Sequence, residues 1–158
     1  MCIRDRDGED YIWETVGWPF YESHGEDDIE RNFGGVDIIC TAWDLKSGES
    51  LILVEKIFWV PLGKYVLSFP AGSKDADDHD PGETALWELK EETGYFGKVI
   101  SVSMTHWPDP WKGVGRTKTV HIGVNLNDPW NKYPTKNLDL EPEEDIICDW
   151  IPLKNLWQ

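Results

Sequence analysis

Long apolar runs are missing from this 158-residue chain. No stretch approaches the roughly 20 apolar residues a helix needs to cross a bilayer, so a membrane-spanning helix is excluded. An apolar leader is missing too. Met1-Cys2-Ile3-Arg4-Asp5-Arg6 has no apolar core of the kind a secretory signal requires. Positive charge is scarce: 15 Lys and Arg stand against 30 Asp and Glu, a net charge of −15. Phosphate backbones are held by Lys and Arg, so such a surface argues against a nucleic-acid partner. Cysteine is scarce as well. There is no Cys-x-x-Cys, and the four histidines show no paired spacing, which argues against a zinc site. Cys40 and Cys148 sit in apolar runs and read as small buried hydrophobes. That usage fits a reducing, intracellular setting, most simply the cytoplasm.

What is present is enough for one core. Hydrophobic residues make up 40% of the chain and aromatics 13%, with ten tryptophans. This length suits a single domain. The acidic balance suits divalent cations, so a phosphorylated ligand would need metal between it and the carboxylates. Residues 1–6 read as the translation of a transposase sequencing adapter, a non-native segment. Residues 7–34 form a polar N-terminal segment, and 35–158 the domain proper, its C-terminus reading as truncated. Without residues 1–6 the chain keeps two arginines, Arg31 and Arg116.

The order of elements is legible. Weak strand character lies around Tyr11–Val16. Val36–Leu45 and Leu51–Val60 are β-branched and aromatic runs joined by a polar turn, a hairpin. A short strand, Tyr65–Phe69, ends at Pro70-Ala71-Gly72. Asp80 caps a helix with Pro81 at its first position, and Gly94 stops it after Thr93. Strands follow at Val99–Met104, Thr117–Leu126 and Ile146–Ile151, and Leu153–Gln158 reads as the first turn of a helix. Strands around one helix imply an α+β or mixed three-layer fold.

The chemistry concentrates in Trp87-Glu88-Leu89-Lys90-Glu91-Glu92-Thr93-Gly94-Tyr95. On a helix, Glu88, Glu91 and Glu92 share a face. Three carboxylates that close repel unless water or a cation screens them. Oxygen ligands of this kind suit Mg²⁺ or Mn²⁺, which bridge to substrate phosphates. Leu86 and Leu89 lie opposite and can anchor the helix. A solvated acidic face is the plainer reading of such a run; its position between a Pro-Ala-Gly turn and a helix-ending glycine favours the metal.

These residues resemble the Nudix hydrolase box, G-x5-E-x7-R-E-U-x-E-E-x-G-U. Gly72 opens it, and Glu88, Leu89, Glu91, Glu92, Gly94 and Tyr95 match its second half. The flank Val66–Gly72, ending Phe-Pro-Ala-Gly, is similar to ADP-ribose and ADP-sugar pyrophosphatases, as are Trp13-Glu14 and Pro108-Asp109-Pro110. The resemblance implies a Nudix-type α/β/α sandwich with a mixed sheet. It implies Mg²⁺-dependent hydrolysis of ADP-ribose or an ADP-sugar to AMP and a sugar phosphate, and a homodimer. Metal would be held by Glu88, Glu91, Glu92 and the backbone carbonyl of Ala71. The general base would be Glu144 or Glu143, in the late acidic run. Trp13, Glu14 and Asp109 would meet substrate. Arg116, with Lys112 and Lys118, forms a cationic loop suited to a diphosphate, or one that balances nearby acid.

The departures are specific. Trp87 stands at the box arginine, and the upstream box glutamate falls on Asp78 or His79. Trp18, Ser68 and Ile57-Phe58-Trp59 replace the subfamily's Arg, acidic residue and Gln-Phe-Arg. Trp87 is either a packed substitute or the mark of a decayed site. Two further readings therefore stand beside hydrolysis of ADP-ribose: a Nudix-fold nucleotide-binding or regulatory module, and a hydrolase of nucleoside triphosphates or dinucleoside polyphosphates.

Overall fold

The computed structural model describes residues 2–4, 10–12, 33–74, 80–110, 113, 115–140 and 144–156. Two short strands, β1 (Cys2–Arg4) and β2 (Asp10–Ile12), pair antiparallel. The main sheet is built from β3 (Gly35–Asp44), β4 (Glu49–Trp59), β5 (Lys64–Ser68), β6 (Ala71–Ser73), β7 (Gly97–Val102), β8 (Thr117–Val124) and β9 (Ile146–Pro152). One α-helix among the described residues, α1 (Pro81–Thr93), connects β6 to β7.

The sheet is mixed. β3 and β8 run parallel; every other pairing in it is antiparallel. The strand order is β5-β4-β3-β8-β7, with β6 added to β3 and β9 to β4. β3 alternates cleanly: Val36, Ile38, Cys40 and Ala42 point to the core, and so do Val120, Ile122 and Val124 of β8. Leu89 and Ala85 of α1 are fully buried against that face, with Leu86 and Tyr95 packed beside them. Each such large aliphatic side chain contributes about 1.5–3 kcal/mol through burial. This is the mixed sheet with a covering helix that the resemblance implies.

The helix forms where its ends allow it. The Asp80 carboxylate accepts hydrogen bonds from the N–H groups of Gly82 (2.7 Å) and Glu83 (3.0 Å), and Pro81 takes the first turn. Gly94 closes it in the left-handed conformation at φ 72°, where a side chain would also collide with the Pro134 carbonyl. The C-terminal turn proves to be a 3-10 turn, Leu153–Asn155. The expected end of β5 at Pro-Ala-Gly also needs refinement, because Ala71–Ser73 resumes as β6 and pairs with Gly35–Asp37.

One irregularity opens the site. β4 pairs with β3 only through Ile52, then pairs with β5 from Glu55 onward. β6 occupies the edge of β3 that β4 leaves. The fork between β4 and β6 is the floor of a cleft.

Candidate active site

The cleft has a volume of about 610 Å³. The C-terminal half of α1 supplies Glu88, Glu91 and Glu92 to it. β6 supplies Ala71 and Gly72, and the segment before β9 supplies Glu144. Arg116, just before β8, lines it as well. The sequence thus brings together residues separated by more than seventy positions.

Local geometry explains several of these placements. Glu92 is 6% exposed, and its Oε2 accepts a hydrogen bond from the Ala71 N–H at 3.2 Å. The Ala71 backbone therefore sits beside a helix carboxylate. Gly72 has no side chain, and the Glu88 carboxyl group fills the volume a Cβ there would need. The box glycine and the first box glutamate fit one another for that reason. Asp139, another cleft residue, donates its N–H to the Glu91 carbonyl at 3.1 Å.

The carboxylates strain one another. Burial, then Glu55 and Glu88, push the Glu92 carboxyl up to about 9, despite the opposing Ala71 hydrogen bond. Burial and Glu144 push Glu55 up to about 7. Such values mark acids crowded in a poorly solvated place, where a cation would relieve them. Hard carboxylate oxygens also match Mg²⁺ or Mn²⁺ chemically. As they stand, no three carboxylates among the described residues are drawn round one point at metal-holding spacing. The donor set nevertheless fits such an ion, because buried acidic oxygen remains in the cleft unsatisfied: Glu55 Oε2 has no hydrogen-bond partner.

Arg116 brings the opposite charge. Its guanidinium stacks on Trp107, 5.8 Å from the ring centre, and its Nε is buried without a hydrogen-bond partner. Asp37, on the same rim, approaches His106 Nε2 at 3.6 Å.

Other expected residues go elsewhere. Lys118 is not brought to the cleft. The alternation of β8 turns it to the core side with Val120 and Ile122, and it is 6% exposed. Asp109 lies exposed in its loop and accepts a backbone hydrogen bond from Gly113 at 2.9 Å. Trp87 is no packed substitute for an arginine. It is 60% exposed on the outer side of α1, with the Lys90 ammonium 5.5 Å from its ring centre. Trp13, Glu14, Lys112 and Glu143 lie outside the described residues, as do the two candidates for the upstream box glutamate, Asp78 and His79. Cys40 is fully buried and Cys148 half-buried, and burial pushes both thiols up to about 12. That fits packing and not reactivity.

Glu55, Asp37 and Asp139 line the cleft without a signal in the sequence, and Trp59, a departure from the subfamily's pattern, lines it too. In the fold Glu55 shares a strand face with Leu51 and Leu53, so its carboxyl points inward. Asp37 sits at a polar phase of an otherwise apolar strand.

No family model matches the chain. Individual proteins do. Over 157 residues it is 36% identical to an ADP-ribose pyrophosphatase of Saccharomyces cerevisiae, an alignment covering 97% of this chain and 62% of that protein. It is 34% identical to an ADP-sugar pyrophosphatase of Mus musculus over 82% of this chain and 56% of the relative. It is 32% identical to a putative nudix hydrolase 2 of Caenorhabditis elegans over 89% of this chain and 59% of the relative. The chain thus spans about 56–62% of the length of these relatives. A solved C. elegans Ap4A hydrolase shares the fold, with a TM-score of 0.52 at 15% identity over 77% of this chain and 80% of that one. With the box glutamates set against the Phe-Pro-Ala-Gly strand and this likeness along nearly the whole sequence, the chain belongs to the Nudix hydrolase superfamily.

Proposed function

We propose that the protein hydrolyses a nucleoside diphosphate linked to a second group, most simply ADP-ribose or an ADP-sugar, to AMP and a sugar phosphate. One observation carries this reading: the box carboxylates, the Ala71 backbone and Glu144 meet in one cleft with Arg116 on its wall. The names of the yeast and mouse relatives support the substrate class.

Glu88, Glu91, Glu92 and the Ala71 backbone would hold Mg²⁺ or Mn²⁺. When bound, the ion offsets phosphate charge and acidifies water. Arg116 offers a planar pair of donors to the diphosphate, pre-oriented by its stack on Trp107. Glu144 accepts the proton of the attacking water as the new oxygen–phosphorus bond forms. The bond from that phosphorus to the bridging oxygen breaks, and the oxygen leaves on the other phosphate. Trp59 presents an aromatic surface at the cleft edge for a base or sugar.

The test is AMP release from ADP-ribose with Mg²⁺, run beside EDTA and Glu92→Gln. Metal-dependent turnover lost in the variant is the expected result. A folded protein that binds ADP-ribose and Mg²⁺ without turnover would instead be a binding module. Turnover confined to nucleoside triphosphates or dinucleoside polyphosphates would keep the chemistry and change the substrate.

A further inference from the structure

We propose that Glu55 of β4 is a direct ligand of the divalent cation in this cleft, extending the carboxylate set from the helix to the floor of the sheet. The inference rests on the metal-dependent reading above, and it concerns a residue outside the Nudix box.

Its position is fixed by two ladders. In register, Glu55 lies opposite Ser68 of β5 on one side and Cys148 of β9 on the other. Its side chain shares the core-facing side of β4 with Leu53, towards α1. The Cys148 thiol in turn lies 3.7 Å from the Glu92 carbonyl oxygen, so β9 connects Glu55 to the helix that carries the box. Pairing of β4 with β9 also delivers Glu144 to the same end of the cleft.

That setting is costly for a carboxylate. Glu55 is 2% exposed, and Oε2 is buried with no hydrogen-bond partner. Among the described residues, the groups the ladders and charges set around it are Ser68, Cys148, Glu92 and Glu144, none of them a cation. Burying an unpaired carboxylate is strongly unfavourable. An apolar residue would continue the run Leu51-Ile52-Leu53-Val54 at no such cost. A carboxyl group retained there and aimed into an acidic cleft calls for a positive partner that arrives from solution, and a hard divalent ion suits Glu55, Glu92 and Glu144 best.

Ser68 is the direct cross-strand neighbour of Glu55, on the same face, and both line the cleft. The Glu55 carboxyl therefore opens onto the cleft from the floor of the sheet.

The experiment measures Mn²⁺ binding to the intact protein by electron paramagnetic resonance and calorimetry, in wild type, Glu55→Gln and Glu88→Gln. Each variant is checked for cooperative melting. Glu55→Gln is expected to weaken Mn²⁺ roughly 10-fold or more, and to melt no lower than wild type without metal. Crystals of wild type soaked in Mn²⁺ supply a reading independent of any variant: an anomalous peak bonded to a Glu55 oxygen is expected. Unchanged affinity in Glu55→Gln, or a peak bonded only to the helix glutamates, overturns the proposal and leaves the hydrolase reading standing. A wild type that binds no Mn²⁺ overturns both.

Discussion

Gly72 and Glu88 occupy complementary volumes: the Glu88 carboxyl group sits where a Cβ on residue 72 would lie. The relation is steric. Nothing in the conformation of Gly72 demands glycine, since the positive φ angles among the described residues belong to Gly48, Gly63 and Gly94. An alanine at 72 would therefore be tolerated by the backbone, and the nearest atoms it meets are those of the flexible Glu88 side chain, which can swing away. Gly72→Ala should fold, with melting within a few degrees of wild type, while its affinity for Mg²⁺ or Mn²⁺ falls roughly 10–100-fold. Calorimetric titration beside Glu88→Gln checks this. Wild-type affinity in Gly72→Ala would show that Glu88 works from another position.

Much of this geometry was legible in the sequence, and the reasons differ by element. α1 was read to its ends because Asp80, Pro81 and Gly94 are local signals that act through neighbouring backbone groups. Its acidic face was legible because helical spacing is fixed. β6 was hidden, because three residues reading Ala-Gly-Ser carry no apolar alternation and pair only through the fork in β3. Glu55 was obscured for a different reason. Ile52, Leu53 and Val54 are all buried, so β4 is covered on both faces and its alternation is masked just where the charge begins. Lys118 misled because nearness to Arg116 in sequence is not nearness to the cleft: it is buried in phase with Val120 and Ile122, inside β8, while Arg116 precedes the strand.

Among the described residues Arg116 is the cation that lines the cleft, and its value to a diphosphate lies in shape as well as charge. Arg116→Ala should raise KM for the diphosphate substrate roughly 10–100-fold, the range expected for losing hydrogen bonds to a charged group. Arg116→Lys should recover little of that loss, because an ammonium has no planar fork and stacks poorly on Trp107. Steady-state kinetics of the two variants decide it. Full rescue by lysine would reduce the role to a point charge.

Trp87 marks the clearest departure from the family box, yet it faces solvent. Its visible partner is Lys90, and a cation–π pair at an exposed site contributes about 0.5–1 kcal/mol. Trp87→Ala should cost about that much in denaturant melts and leave kcat/KM within roughly twofold. A large loss of kcat at unchanged stability would mean that the ring acts on the site.

The last prediction follows from the crowding of Glu55 and Glu92 in the absence of metal. Their folded values, about 7 and about 9, both lie above the ordinary carboxylate value of 4.5. The native state therefore binds protons more tightly than the unfolded chain across that window. The stabilisation is complete below about pH 4.5 and is lost as pH rises through 7 and then 9. In EDTA, melting temperature should fall between pH 5.5 and pH 9 by on the order of 5–10 °C, the shift a few kcal/mol produces in a domain this size. Glu55→Gln removes one of the two carboxylates and should flatten the lower part of that decline. Saturating Mg²⁺ should reverse its sign, because ionised carboxylates bind the metal and protonated ones do not. Differential scanning fluorimetry across pH, with and without Mg²⁺, reads all three. A metal-free melting temperature that holds steady or climbs over this range would show that the two glutamates are paired or solvated in solution.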